Sequence, residues 1–457
     1  MKAKSKWLAL LLVLGLVLAA CGGGGEGSEE TTTTGAAPDT TEGETSTTEG
    51  EMTSTTGGEL AEPTVDVGVD LEAGVITVGM LSDLTGPFGP LVSAIVAGHE
   101  AYWANVNANG GIHGLTVELE TVDTTYDIPT HVQFYEELKD DVVAFGHSTG
   151  SPHTVAINAQ LQADGILAVP LTWYSGWSDP AINSNLVPHG APYCLEAMSL
   201  VEYVAGETGA DAPTIAIASV PGDYGLDSAT GASLAAGELG LEVTYDGTGL
   251  VIPNDETSYD EVAAGIVGSG ADMVFLTATP SAFSAIYGRA VAQGFEALWT
   301  GASPSWNPAF VAEDSPIREP ITRDMYLSGY LERWDDPGQA EVRTIMEAAG
   351  APPTDYYGEG FVEATIMHAA LTAAYESGDM TQAGVLAAAK ALEEVDFGGL
   401  APNETYVGDP NDIVQRAIWI GRPDPEATTG AVTVESAFTS PVAEAYDFTG
   451  ACYVLEG

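Results

Sequence analysis

The feature that most constrains the fold is an alternation of short apolar runs with helical patterns, which begins twice along the chain. The first series has four apolar runs, at residues 75–81, 115–122, 142–145 and 166–169. The second series has four more, at residues 214–220, 241–245, 273–277 and 297–300. Such runs, with helices between them, are typical of parallel strands covered on both faces. We therefore predict an α/β protein of two doubly wound parallel-sheet lobes, with ligands in the cleft at the carboxyl ends of the strands.

The first unit carries the most specific motifs. A loop of the form S-x-L-T-G-P occupies residues 82–87, and N-x-N-G-G-I-x-G occupies residues 107–114. Together they resemble the amino-terminal lobe of bacterial solute-binding proteins of the branched-chain amino acid and amide type, which are type I periplasmic binding proteins like the leucine-binding protein. The resemblance spans roughly residues 76–400. It implies a hinge between the lobes and a helix at 358–376 that packs back on the first lobe. It also implies two kinds of partner, a small-molecule solute and the permease subunits of an ABC importer.

The beginning of the chain predicts export. Three lysines precede an apolar run at residues 7–20, which is built like a signal peptide and is too short to be a comfortable membrane span. The run ends in L-A-A-C, which resembles the lipobox of bacterial lipoproteins and implies that Cys21 receives the lipid. An uncleaved signal anchor is the alternative. We expect an extracytoplasmic protein that is lipid-anchored to the cell membrane, with a disordered tether rich in Gly, Thr, Ser and Glu at residues 21–72.

The rest of the chain is predicted to form one two-lobed domain at residues 73–457. We assign lobe 1 to about 75–190 and 330–395, and lobe 2 to about 191–329 and 396–457. In an exported chain the two remaining cysteines, Cys194 and Cys452, are expected to form a disulfide, although both could be buried as free thiols.

The charge balance excludes some partners. The chain has 12 Lys and Arg against 66 Asp and Glu, formally −54, so nucleic acid is not expected to bind because phosphate recognition needs clustered basic side chains. No cofactor or metal site is predicted either, since the seven histidines lack ligand spacing along the sequence. The negative field favours cationic or zwitterionic solutes over anions.

Residues 146–150 read G-H-S-T-G and allow two interpretations. The pattern G-x-S-x-G after a strand is that of a hydrolase nucleophile elbow, with Ser148 as the nucleophile. Against this, His368 lies within a helical pattern and His189 comes too early for a catalytic histidine, so we predict that the protein is not an enzyme. The alternative is a carboxylate cradle at a helix amino terminus, in which Ser148, Gly150 and Ser151 bind the solute.

The resemblance implies further ligand contacts. They are expected at Thr172, Trp173 and Tyr174 after the fourth strand, at Tyr224 of a Y-G loop, and at Ser303. Amino acid binders of the family have an acid where this chain has Ser303, and that acid pairs with the solute's ammonium group. We therefore expect weak binding of α-amino acids unless Asp223 replaces the acid. The preferred solute is a neutral amide, or an aromatic or aliphatic carboxylate, stacked on Trp173 or Tyr174.

Two further expectations concern the cleft and its use. Four tryptophans sit at or just past strand ends and predict an aromatic-lined pocket, namely Trp173, Trp177, Trp299 and Trp306. Transport is the expected use of the bound solute. A sensory receptor that presents its solute to a signalling partner is the alternative that the sequence leaves open.

Overall fold

The computed structural model describes residues 61–455. The predicted signal peptide, the lipidation site Cys21 and most of the predicted tether lie outside the described residues. Within residues 61–455, no helix is both long and apolar enough to cross a membrane.

Lobe 1 is built on a five-stranded sheet. Its first elements are β1 (Thr64–Val65), β2 (Val69–Asp70), β3 (Val75–Ser82), α1 (Gly89–Ala108), β4 (Thr116–Asp123), α2 (Ile128–Leu138), β5 (Ala144–Thr149), α3 (Ser151–Asp164) and β6 (Ala168–Leu171). Strand β3 is parallel to β4 and β5, β5 is parallel to β6, and only the edge strand β2 is antiparallel. The predicted parallel sheet is confirmed.

Lobe 2 repeats the arrangement with a four-stranded sheet. Its elements are α4 (Tyr193–Glu207), β7 (Thr214–Ser219), α5 (Gly222–Leu239), β8 (Glu242–Gly247), α6 (Glu256–Ser269), β9 (Met273–Thr277), α7 (Pro280–Ala292) and β10 (Leu298–Thr300). The strand order is β10-β9-β7-β8, and all pairs are parallel. Helix α5 ends where Gly240 adopts φ +68°, a conformation that glycine accepts without strain.

The remaining elements return to both lobes. They are α8 (Arg318–Asp324), β11 (Leu327–Gly329), α9 (Ala340–Ala348), α10 (Tyr356–Ser377), β12 (Asp379–Met380), α11 (Gln382–Lys390), α12 (Pro410–Ile413), β13 (Ile418–Pro423), β14 (Ala431–Phe438) and α13 (Pro441–Ala445). Strands β11, β13 and β14 form a small antiparallel sheet, and β12 pairs with β1.

Helix α10 packs on lobe 1, as the resemblance implied. Two glycines bring it against α1 with backbone touching backbone. A Cβ atom on Gly98 would lie 2.4 Å from the carbonyl oxygen of Tyr357, and one on Gly360 would lie 2.1 Å from that of Ile95. Around this contact, apolar side chains of α1, β3 and α10 share one buried core.

Three sequence predictions differ from the structure. Residues 61–72, predicted as part of the tether, contain β1 and β2, because Val69 is buried and the short strands find partners in β12 and β3. The motif at 146–150 is not a loop, since β5 extends to Thr149 and pairs with β3 and β6. Asp223 and Tyr224 lie in the first turn of α5 instead of a loop.

A disulfide joins Cys194 on α4 to Cys452 near the end of the described chain. Their Cα atoms are 6.4 Å apart, and the two residues are 258 positions apart in sequence. Cys194 is fully buried in the core around α4 and α5. The bridge therefore ties the carboxyl-terminal segment to lobe 2.

Candidate ligand-binding site

A cavity of about 600 Å³ lies where the carboxyl ends of the strands of the two lobes meet. Lobe 1 contributes the end of β5 with the start of α3, the residues after β6, and the start of α1. Lobe 2 contributes the first turns of α5 and α7 and the segment after β10. This is the position that parallel sheets of this type predict for a ligand.

Most of the cavity wall is apolar or aromatic. The side chains of this character include Phe88, Leu91, Val92, Ile95, Tyr126, Leu171, Trp173, Tyr193, Tyr224, Trp306, Phe310, Tyr330, Leu331 and Tyr356. Trp173 stacks on Tyr330 with ring centroids 4.3 Å apart and an interplanar angle of 22°. Of the four tryptophans that the sequence singled out, Trp173 and Trp306 line the cavity, whereas Trp177 and Trp299 lie in the lobe cores.

One end of the cavity is polar. Thr149, Gly150 and Ser151 line it at the point where β5 passes into α3. Gly150 adopts φ +96°, which allows the sharp change of direction, and Pro152 follows at the beginning of the helix. The first amide N–H groups of a helix have no acceptor within the helix, so this end favours a carbonyl or carboxylate oxygen.

Five of the eight predicted ligand residues line the cavity: Gly150, Ser151, Trp173, Tyr224 and Ser303. The other three do not. The Ser148 hydroxyl lies 2.9 Å from Thr154 Oγ1 in the interior of lobe 1, and the Tyr174 hydroxyl donates to the carbonyl of Tyr453 at 2.7 Å. Thr172 is buried and its hydroxyl is hydrogen-bonded to that of Ser151.

The hydrolase interpretation fails on geometry. Ser148 Oγ does lie 3.2 Å from Nε2 of His131, but both side chains are fully buried and neither lines the cavity. Nδ1 of His131 has no hydrogen-bond partner, so no carboxylate orients the ring as in a catalytic triad. Burial lowers the pKa of His131 to about 3, which makes it a weak base.

The sequence comparison decides the family. Residues 75–429 match the family model described as periplasmic binding protein. The chain belongs to this family. It is therefore an extracytoplasmic solute-binding protein of the kind that serves ABC transporters, and not an enzyme. No curated protein sequence matches the chain.

Solved periplasmic binding proteins share the fold. A fatty acid ABC transporter substrate-binding protein from Thermomonospora curvata is 25% identical, with a TM-score of 0.77 over 85% of this chain and 98% of that one. A branched chain amino acid ABC transporter protein from Thermus thermophilus with bound valine is 19% identical, with a TM-score of 0.65 over 81% and 97%. A solute-binding protein from R. palustris in complex with 4-hydroxybenzoate is 16% identical, with a TM-score of 0.66 over 80% and 97%.

An acidic side chain does lie near Ser303 in this periplasmic binding protein, although the sequence did not indicate it. Glu196 of α4 is fully buried and accepts from the Ser303 amide at 2.8 Å, the Tyr330 hydroxyl at 2.9 Å and the Ser328 hydroxyl at 2.5 Å. Burial raises the pKa of its carboxyl to about 7. Glu196 does not line the cavity, and its two oxygens are occupied by the protein's own donors.

Four charged residues of the cavity wall were also missed. Glu332, Arg333, Asp355 and Glu359 line it from the segment before α9 and from the start of α10. The Arg333 guanidinium donates to Asp355 at 2.7 Å and lies 3.8 Å from the Trp419 ring, so its charge is already paired. Asp223, the predicted substitute for the missing acid, is buried outside the cavity lining, and burial raises its pKa to about 6.

Proposed function

We propose that this periplasmic binding protein captures a mostly apolar solute with one hydrogen-bonding head group and delivers it to the permease subunits of an ABC importer. The cavity carries this proposal, because most of its wall is apolar and aromatic and the end of β5 with the start of α3 offers backbone N–H groups at Gly150 and Ser151. Its charged lining residues are confined to Glu332, Arg333, Asp355 and Glu359. An aliphatic or aromatic carboxylate, or the corresponding amide, has that shape and chemistry. Its oxygen would accept from the first N–H groups of α3, and its body would lie along Trp173.

Neither Glu196 nor Asp223 lines the cavity, which supports this choice over an α-amino acid bound with its ammonium group near Ser303. The acids that do line it, Glu332, Asp355 and Glu359, come from the segment before α9 and the start of α10. A buried ammonium group without a counter-ion is penalised by several kcal/mol. Glu196 already accepts three hydrogen bonds, and Asp223 does not line the cavity. Two structural relatives are described with solutes of this chemistry. One is named a fatty acid ABC transporter substrate-binding protein, and the other is in complex with 4-hydroxybenzoate.

A thermal-shift panel tests the solute class. We expect medium-chain fatty acids or substituted benzoates, or their primary amides, to raise the melting temperature, and leucine and valine to have no effect at millimolar concentration. Comparing each acid with its amide at pH 7 separates the two head groups. Native mass spectrometry of the purified protein identifies any solute that co-purifies. Tight binding of leucine would contradict the solute class but leave the receptor function intact.

Replacing Trp173 by alanine is expected to weaken solute binding about tenfold. The substitution removes the indole that stacks on Tyr330 and forms part of the cavity wall, and an aromatic contact of this kind contributes about 1 kcal/mol beyond its buried area. Calorimetry with the best solute of the panel measures the change. Tyr375→Ala is the matched control, since Tyr375 stacks on His113 away from the cavity. Equal affinity of Trp173→Ala and the parent would place the solute elsewhere.

We also propose that Cys21 carries a lipid that holds the protein at the cell membrane. The motif L-A-A-C after the apolar run supports this, and two or three acyl chains give durable anchoring. Expressed in a bacterium with its full signal sequence, the parent should partition into the detergent phase, and Cys21→Ser should move to the aqueous phase. Unchanged partitioning of Cys21→Ser would rule out lipidation at this residue.

A further inference from the structure

Behind the cavity wall, six ionisable side chains from five parts of the chain meet in a buried cluster. They are His99 of α1, His147 of β5, His189 between β6 and α4, Glu359 and Glu363 of α10, and Glu404 between α11 and α12. All six are buried, which is unusual for so many ionisable groups at one place. None of them has a role in the function described above, except that Glu359 also lines the solute cavity.

One half of the cluster is hydrogen-bonded within itself, except that Nδ1 of His99 has no partner. Glu363 Oε2 lies 2.7 Å from His99 Nε2 and 2.7 Å from His147 Nδ1. The other nitrogen of His147 is 2.6 Å from the hydroxyl of Thr149. Two imidazoles that donate to one carboxylate oxygen form an ordinary buried polar network, and nothing more is needed to explain them.

The other half is unsatisfied. Oε1 of Glu363, Oε1 of Glu359 and Nε2 of His189 are each buried and have no hydrogen-bond partner. His189 lies between the two carboxyl groups, with Nδ1 3.2 Å from Glu359 Oε1 and Nε2 3.6 Å from Glu363 Oε1. Buried polar atoms without partners are costly and rare, so three that face one another indicate a missing ligand.

Space and charge fit a small cation. A second cavity of about 10 Å³, room for roughly one water-sized particle, lies beside the cluster. His189, Glu359 and Glu404 line it together with apolar residues, whereas Glu363 lies behind His189 and does not line it. No lysine or arginine in residues 61–455 forms an ion pair with Glu359, Glu363 or Glu404. Histidines are the ion-pair partners of Glu359 and Glu363, so a bound cation would add the positive charge that neutral imidazoles do not supply.

We propose that His189, Glu359 and Glu363 form a binding site for one divalent transition-metal ion of the Zn²⁺ class, with Glu404 beside it. One ligand atom from each of the three residues lies within 4.8 Å of the others. Ligands placed about 2.1 Å from a tetrahedral zinc ion are about 3.4 Å from one another, so small side-chain shifts complete the set. The imidazole nitrogen selects zinc-like ions over Mg²⁺ and Ca²⁺, which prefer oxygen ligands only.

The ion would have a structural role in the receptor. His189 belongs to the segment that leads from lobe 1 into α4, whereas Glu359 and Glu363 are on α10. Binding all three would fasten this segment to α10 directly behind the solute cavity. Because the ion binds only the folded arrangement, it is expected to raise the melting temperature as its concentration increases.

The test uses the whole mature protein, freed of metal with EDTA and then titrated with ZnCl₂. Calorimetry and elemental analysis after gel filtration are expected to give one equivalent of zinc, with no binding of Mg²⁺ under the same conditions. His189→Gln and the nearly isosteric Glu359→Gln should each lose this equivalent. Circular dichroism confirms that each variant is folded, and the parent's zinc content alone decides the matter if neither variant folds.

Two controls locate the zinc. His113→Gln removes an exposed histidine near Glu376, and His368→Gln removes a histidine that bonds Tyr102 outside the cluster; both variants should keep the equivalent. A parent protein that holds no zinc at stoichiometric level would overturn the proposal. So would zinc that persists in His189→Gln. Either result would show that His189, Glu359 and Glu363 are not a metal site.

Discussion

Replacing Cys194 and Cys452 together by alanine is expected to lower the free energy of unfolding by about 5 kcal/mol in the chain-entropy model. The bridge closes a loop between residues 258 positions apart, so its loss frees a large part of the unfolded chain. The carboxyl-terminal segment, which lies against lobe 2 at the bridge, would also lose its fixed end. Alanine is chosen because Cys194 is fully buried and a polar replacement would add a second penalty.

Urea unfolding of the parent and of the double variant measures this effect. The parent should shift to a lower midpoint when a reductant is added, whereas the double variant should not respond to the reductant. Mass spectrometry of unreduced parent protein should find no free thiol at either position. Equal midpoints for the two proteins without reductant would show that the bridge does not form in solution.

Replacing Gly360 by alanine is expected to destabilise the protein by about 3 kcal/mol, although alanine is the better helix former. The added methyl group would meet the carbonyl oxygen of Ile95 at 2.1 Å and the amide nitrogen of His99 at 2.8 Å. Both are backbone atoms of α1, which cannot rotate away as a side chain does. The two helices must therefore separate along their contact.

Gly237→Ala is the matched control for this substitution. Gly237 also lies within a helix, α5, but a Cβ atom there would meet nothing within 4 Å. The control should be more stable than the parent by about 0.5–1 kcal/mol, because glycine loses more conformational entropy on folding. Thermal unfolding of the three proteins compares them. If Gly360→Ala melted at or above the parent's temperature, α1 and α10 would not pack as closely as described.

Strand periodicity explains in part which of the predicted ligand residues line the cavity. Successive residues of an extended segment point to opposite sides. Thr149 at the end of β5 lines the cavity, whereas Ser148 before it points into the core. In the same way Trp173 lines the cavity, whereas Thr172 and Tyr174 on either side do not. The sequence predicted the strand ends because buried parallel strands have a clear apolar pattern, but it could not choose the face without the register.

Contacts between distant parts of the chain could not be predicted from the sequence. Helix α4, which carries Glu196, was missed; every residue from Tyr193 to Val201 is buried, so no solvent-facing side marks these turns in the sequence. The buried cluster also escaped notice, since His99, His189 and Glu363 are far apart in sequence and only the fold brings them together. Each of these residues, taken alone, has the pattern of an ordinary core position.

The packing of α10 on α1 has a consequence for the order in which the protein folds. Lobe 1 takes its first strands from the beginning of the domain, but α10 covers them and β12 pairs with β1, placing Thr64 opposite Asp379. Before such non-local pairs can form, the chain loses the entropy of closing a long loop, and only then do the contacts contribute stability. A chain emerging amino terminus first therefore cannot complete lobe 1 until lobe 2 has also emerged. Lobe 2, whose sheet is contiguous in sequence, is expected to be the first to reach its native structure.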